Sequence, residues 1–177
     1  MKKNQLDELV TELGRLQLMD PESFEEKASK TALLLDKKDI QYLISILHCP
    51  PDLPKEIKEL DLPLGQWMAI CQYSCFELIC NLGNEMIGFL KKVAFGKYDW
   101  TQATALEVIC RMYIDGKVTD EIIEEINKEL PAMRYETHLY FASALLLRSE
   151  KDPKYNQLID QFQNEEFREA LTELKNN

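Results

Sequence analysis

Glycine is scarce in this chain: six among 177 residues, too few for the turns of a sheet-rich fold. No segment alternates apolar and polar residues with valine, isoleucine or threonine enrichment between turn signals, so no strand is expected. No apolar run approaches the roughly 18 to 20 residues of a membrane span, and Met1-Lys2-Lys3 opens onto a polar amphipathic stretch instead of a signal-peptide core. Only two histidines, His48 and His138, are present, and neither has an obvious nucleophile beside it. A P-loop, a dinucleotide-binding glycine fingerprint after a strand and a zinc-protease HExxH are all missing, which removes the commonest phosphate, cofactor and metal signals. Dense lysine or arginine clusters are missing too. With 21 basic against 31 acidic residues the net charge is -10, which repels phosphate backbones. The chain is therefore expected to hold no cofactor and to bind neither nucleic acid nor membrane.

The residues present describe a soluble helical domain. One domain fits the length, and 45% hydrophobic with 29% charged residues is ordinary globular composition. Five cysteines, an odd number lying mostly within helical patterns, favour reduced thiols and a cytoplasmic address over a disulfide framework. From Val118 onward 13 acidic residues face 7 basic ones, so a basic partner would be steered toward the C-terminal half.

Apolar residues recur at helical spacing in Leu6, Val10 and Leu13, predicting a first helix that ends near Met19. Asp20-Pro21 supplies an N-cap and a first-turn proline for a second helix, expected to run through Leu35. A third starts at Lys38, with Ile40, Leu43, Ile44 and Leu47 as its buried stripe. Four prolines then make residues 49–65 a connection, with at most a short helix around Glu56 to Leu60; it reads either as a boundary or as a loop on a binding edge. Further helices are predicted over 64–82, 84–95, 100–114, 120–130 and 135–147, punctuated by Gly83, Gly96, Gly116 and Pro131 and capped at Asp99 and Thr119. Asp152-Pro153 repeats the earlier start signal before two short C-terminal helices. The organisation expected is a single all-α domain of about eight to ten helices: N-terminal helices 1–48, the proline-rich connection 49–65, a repeat core 66–149 and capping helices 150–177.

Trp67, Trp100 and Tyr135 each lead a helix at intervals of 33 and 35 residues, an internal repeat. The stretch from Asp99-Trp100 through Ala103, Ala105, Leu106 and Ile109 resembles the second helix of a HEAT-like repeat. Met86 to Lys92 resembles that repeat's first helix. Ile122 to Ile126 with Arg134-Tyr135 to Leu147 resembles the following repeat, so the likeness covers residues 64–149, roughly half the chain. Units this long are shorter than the roughly 40 to 47 residues usual for HEAT or armadillo repeats and nearer the 34 of tetratricopeptide repeats, but the tetratricopeptide first-helix pattern is missing. The resemblance implies a compact HEAT-like α-solenoid, with tetratricopeptide-like stacking as the alternative, acting as a scaffold that binds another protein. Some HEAT-like proteins are DNA glycosylases; the acidic balance speaks against that activity here.

Cys71, Cys75 and Cys80, with His48-Cys49 upstream, come nearest to a metal set, but their helix face also carries Met68, Leu78, Ile79 and Leu82 and reads as core. Cys110 reads the same way. His138 falls among Leu139, Phe141, Ala142 and Leu145 and reads as a packed histidine. Catalytic and metal-ligating residues are therefore not assigned. Glu107 and Arg111 are four apart and read first as a surface ion pair. If second helices line a concave face, Thr104, Glu107 and Arg111, with Ser74, Glu77 and Asn81 one unit earlier, would meet a partner. Trp67, Trp100 and Tyr135 are expected as packing wedges between units. Two further outcomes remain open: an acidic inhibitor or immunity-type protein on a basic partner, and a homodimer through uncapped ends.

Overall fold

The computed structural model describes residues 2–97 and 99–176, without the side chain of Lys37. Met1, which begins the Met1-Lys2-Lys3 opening, lies outside the described residues, as do Tyr98 and Asn177. The fold is all-α: among the described residues there are eleven α-helices and two 3-10 turns, and no strand. The chain divides into two compact units, one ending at Leu82 and the other starting at Gly83. The proline-rich segment 49–65 lies within the first unit.

In the first unit α1 (Lys3–Met19), α2 (Pro21–Ala32) and α3 (Lys37–His48) all pack on α5 (Gln66–Leu82). Leu6, Val10 and Leu13 form the buried stripe of α1. Gly14 follows on the same helix and lets α5 approach: a Cβ there would stand 3.0 Å from the Trp67 ring and 3.1 Å from Ile70. Phe24 of α2 stacks on Tyr73 of α5 with ring centres 5.9 Å apart. Asp20 caps α2 by accepting from Ser23 N.

α2 stops at Ala32, three residues before the expected end, and Leu33 and Leu34 are exposed. The cause is the next cap. Asp36 accepts from the Lys38 and Asp39 amides while Asp39 accepts from Asp36 N, a reciprocal box that commits the chain to starting α3. On α3 the buried apolar residues are Leu43, Ile46 and Leu47, while Ile40 and Ile44 are only half-buried. The proline-rich stretch holds one short helix, α4 (Lys55–Lys58), and is tied down: Ile57 is buried, Trp67 Nε1 donates to Pro51 O at 2.9 Å, and Arg15 pairs with Glu56.

The second unit opens with a 3-10 turn (Gly83–Met86) and α6 (Ile87–Ala94), followed by α7 (Thr101–Ile114), α8 (Asp120–Glu129), a 3-10 turn (Leu130–Ala132) at Pro131, α9 (Tyr135–Ser149), α10 (Lys154–Ile159) and α11 (Glu165–Asn176). α7 packs on α6 and α9, and α9 on α10 and α11. Phe141, Phe162 and Phe167 from three successive segments meet with ring centres 5.3 to 5.4 Å apart. Gly116 ends α7 at φ 69°, where Lys117 N reaches back to Met112 O at 2.8 Å. Thr119 precedes α8 but makes no side-chain cap, unlike Asp99, which accepts from Thr101 N at 2.9 Å.

The repeat position expected to hold wedges is not uniform. Trp67 is buried, but Trp100 is 49% exposed and stands one residue before α7, and Tyr135 is also exposed, its hydroxyl donating to Glu173 at 2.7 Å. The burial expected at this position is found for Trp67 and is corrected for the other two. Trp67 has Gly14 beneath it and a carbonyl for its indole N–H; Trp100 begins outside its helix and Tyr135 turns its ring toward a surface carboxylate.

Candidate functional site

The three residues singled out on α5 engage their own helix. Ser74 Oγ donates to Ile70 O at 3.0 Å and is buried; Asn81 Nδ2 donates to Glu77 O at 2.9 Å and lies 3.3 Å from Glu77 Oε1. Glu77 is buried and Asn81 half-buried. On α7, Thr104 is half-buried, whereas the Glu107 and Arg111 side chains are only 5% and 10% exposed. Neither the surface ion pair nor the open polar face expected for Glu107 and Arg111 matches that burial.

Glu107 is instead the hub of a buried ionic group. Arg148 Nε of α9 donates to Glu107 Oε1 at 2.8 Å, and Arg111 Nε stands 3.1 Å from the same oxygen. Tyr155 of α10 is buried beside them; loss of solvent pushes its phenol well above the ordinary range, Glu107 adds to that, and the two arginines oppose it. Cys110, three residues after Glu107 and adjacent to Arg111, has its thiol pushed well up by burial and then by Glu107. The group clamps α7 to α9 and α10. Arg148 and Tyr155 escaped the sequence reading because they lie 41 and 48 residues from Glu107, although an arginine directly after Leu145-Leu146-Leu147 is a cue that a charge sits beside an apolar wall.

In the first unit burial raises the Cys71 thiol to about 12 and, with Cys71 adding to it, the Cys75 thiol well above the ordinary value. Protonated thiols serve as small apolar groups there. Among the described residues no group of three or more His, Cys, Asp or Glu is placed to hold a metal ion. His138 is fully buried, its Nε2 3.3 Å from a Glu166 carboxylate oxygen on α11. His48 is exposed in the last turn of α3.

The second unit also carries an open cleft of about 560 Å³, lined by Phe95, Lys97, Gln102, Glu129, Met133 and Arg134 among others. Its walls are the turn after α6 and the turn before α9. Gln102 fixes both: its Nε2 donates to Gly96 O at 2.9 Å, and its Oε1 accepts from Thr137 Oγ1 at 3.1 Å. Gly96 is required where the chain doubles back, since a Cβ would lie 2.5 Å from Lys92 O. Apolar and charged lining residues therefore sit on a braced frame. Sequence reading passed over this place, because its residues belong to two turns with no shared motif.

No helix among the described residues is long and apolar enough to cross a membrane. No family model matches the chain, and no curated protein or solved structure does so either.

Proposed function

We propose that the chain is a non-enzymatic protein-interaction module, a scaffold or adaptor of the HEAT-like kind it resembles, and that it receives part of a partner protein in the cleft of the second unit. The observation that carries this reading is the braced cleft itself: Phe95 and Met133 offer apolar contact, Lys97, Glu129 and Arg134 offer charge, and the Gln102 bridge keeps the two walls in place before anything binds. A pre-formed cleft loses little entropy on binding. Five free cysteines, four of them buried, suit a reducing compartment, and a cytoplasmic location belongs to the reading.

A basic partner is favoured by the net charge of -10 and by Asp120, Glu121 and Glu124, all exposed on α8. This is the inhibitor or immunity-type variant of the same reading. A glycosylase-type role would use a buried carboxylate among arginines, which Glu107 provides; but Arg148 occupies one of its oxygens, and Glu107 does not line the cleft.

The test compares proteins retained from native lysate by the immobilised chain and by Glu129→Lys and Met133→Lys variants that keep wild-type circular dichroism. A specific protein held by the wild type and lost at least tenfold with the cleft variants is expected. Retention unaffected by both changes, or no specific retention, would overturn the cleft reading.

A further inference from the structure

α9 leaves one face open to solvent along its length. Tyr140 is 57% exposed and Leu147 61%, Ser143 and Ala144 between them are half-buried, and Glu136 in the first turn and Lys151 in the turn beyond the helix are exposed. Steps of three and four place these residues on one stripe, about 22 Å long at 1.5 Å per residue. The stripe has a property that scattered exposed apolar residues lack: it is its own antiparallel complement.

A two-fold axis crossing the helix between Ser143 and Ala144 sets Glu136 against Lys151, Tyr140 against Leu147 and Ser143 against Ala144, each twice. The small residues fall at the crossing, where helix axes must come closest. A parallel pairing would instead oppose Glu136 to Glu136 and Lys151 to Lys151. We propose that this face joins two copies of the chain as an antiparallel α9–α9 pair, with two Glu136–Lys151 ion pairs flanking two Tyr140–Leu147 contacts. The occupant is fixed by charge complementarity and by the two-fold match of residue sizes. One helix face covers well under the roughly 800 Å² per partner of a standard stable interface, so the dimer is weak and forms in the high-micromolar range.

Sedimentation velocity in about 0.15 M salt, with the full chain up to about 1 mM, tests this using Glu136→Lys and Lys151→Glu. Both substitutions are on exposed side chains. Each turns two attractions into two repulsions, and each is expected to weaken dimerisation about tenfold. The two variants change net charge in opposite directions, so general repulsion alone would tighten the first and weaken the second. In a mixed dimer the lysine introduced in the first variant faces the glutamate introduced in the second, while the native Lys151 of the first still faces the native Glu136 of the second. Mixing therefore restores association to near the wild-type level. A wild type that stays monomeric throughout overturns the proposal, as do opposite responses of the two variants or a mixture no better than either alone.

Discussion

Glu107 and His138 meet burial in different ways. The Glu107 carboxylate lies against two guanidinium groups, one on its own helix and one on α9. His138 has Glu166 at 3.3 Å, a side chain half exposed to water, and the Met133 backbone. Loss of solvent therefore dominates and holds the imidazole below its ordinary 6.5, with the Glu166 charge pulling the other way. In the unfolded chain the histidine takes up a proton near 6.5, while in the folded chain it does so only at lower pH. Below 6.5 the unfolded state binds more protons, so stability is fully present above that value and is lost as pH falls toward the folded value. Urea midpoints for the wild type should decline as pH drops below 6.5, and His138→Gln should flatten that decline. An unchanged slope in the variant would assign the effect to other groups. The packed character of His138 was legible from its apolar neighbours in sequence; its carboxylate partner, 28 residues on in another helix, was not.

At the level of elements, caps were the most readable feature because each depends on residues within three positions. Asp20, Asp99 and Asp152 all accept amide hydrogen bonds where the sequence placed starts. Stops were harder: α2 yields to the Asp36 box although Leu33 to Leu35 could have continued its apolar pattern. The α1–α5 contact was not legible, since nothing local says that Gly14 faces an indole. Gly14→Ala separates two effects of opposite sign. Helix propensity favours alanine by roughly 0.5 to 1 kcal/mol, whereas a new methyl at 3.0 to 3.1 Å from Trp67 and Ile70 forces packed groups apart at a cost of about 1 to 3 kcal/mol. Overpacking should win, because the ring is pinned by its bond to Pro51 O. Urea denaturation followed by tryptophan emission should show net destabilisation of about 1 kcal/mol; a more stable variant would mean that the ring yields freely.

For the whole molecule, charge sets the terms of association. Two copies carrying -10 each, with charge centres roughly 35 Å apart, repel by several kcal/mol at about 0.01 M ionic strength and by less than about one at 0.15 M. Two exposed Glu136–Lys151 pairs contribute far less and weaken only slightly over the same range. Self-association should therefore tighten as salt rises, whereas binding of a basic partner should loosen. Dissociation constants measured at both ionic strengths distinguish the two, and a dimer that loosens with salt would contradict this balance. Composition and periodicity by themselves determined the all-α fold, the order of the helices and most of their starts, because turn chemistry and the spacing of apolar residues act over one or two helical turns. Only the tertiary structure decided which polar residues face water. α5 and α7 are buried nearly all round, so their polar rows pointed to no solvent-facing side, and Glu107 found its partner 41 residues away on a neighbouring helix.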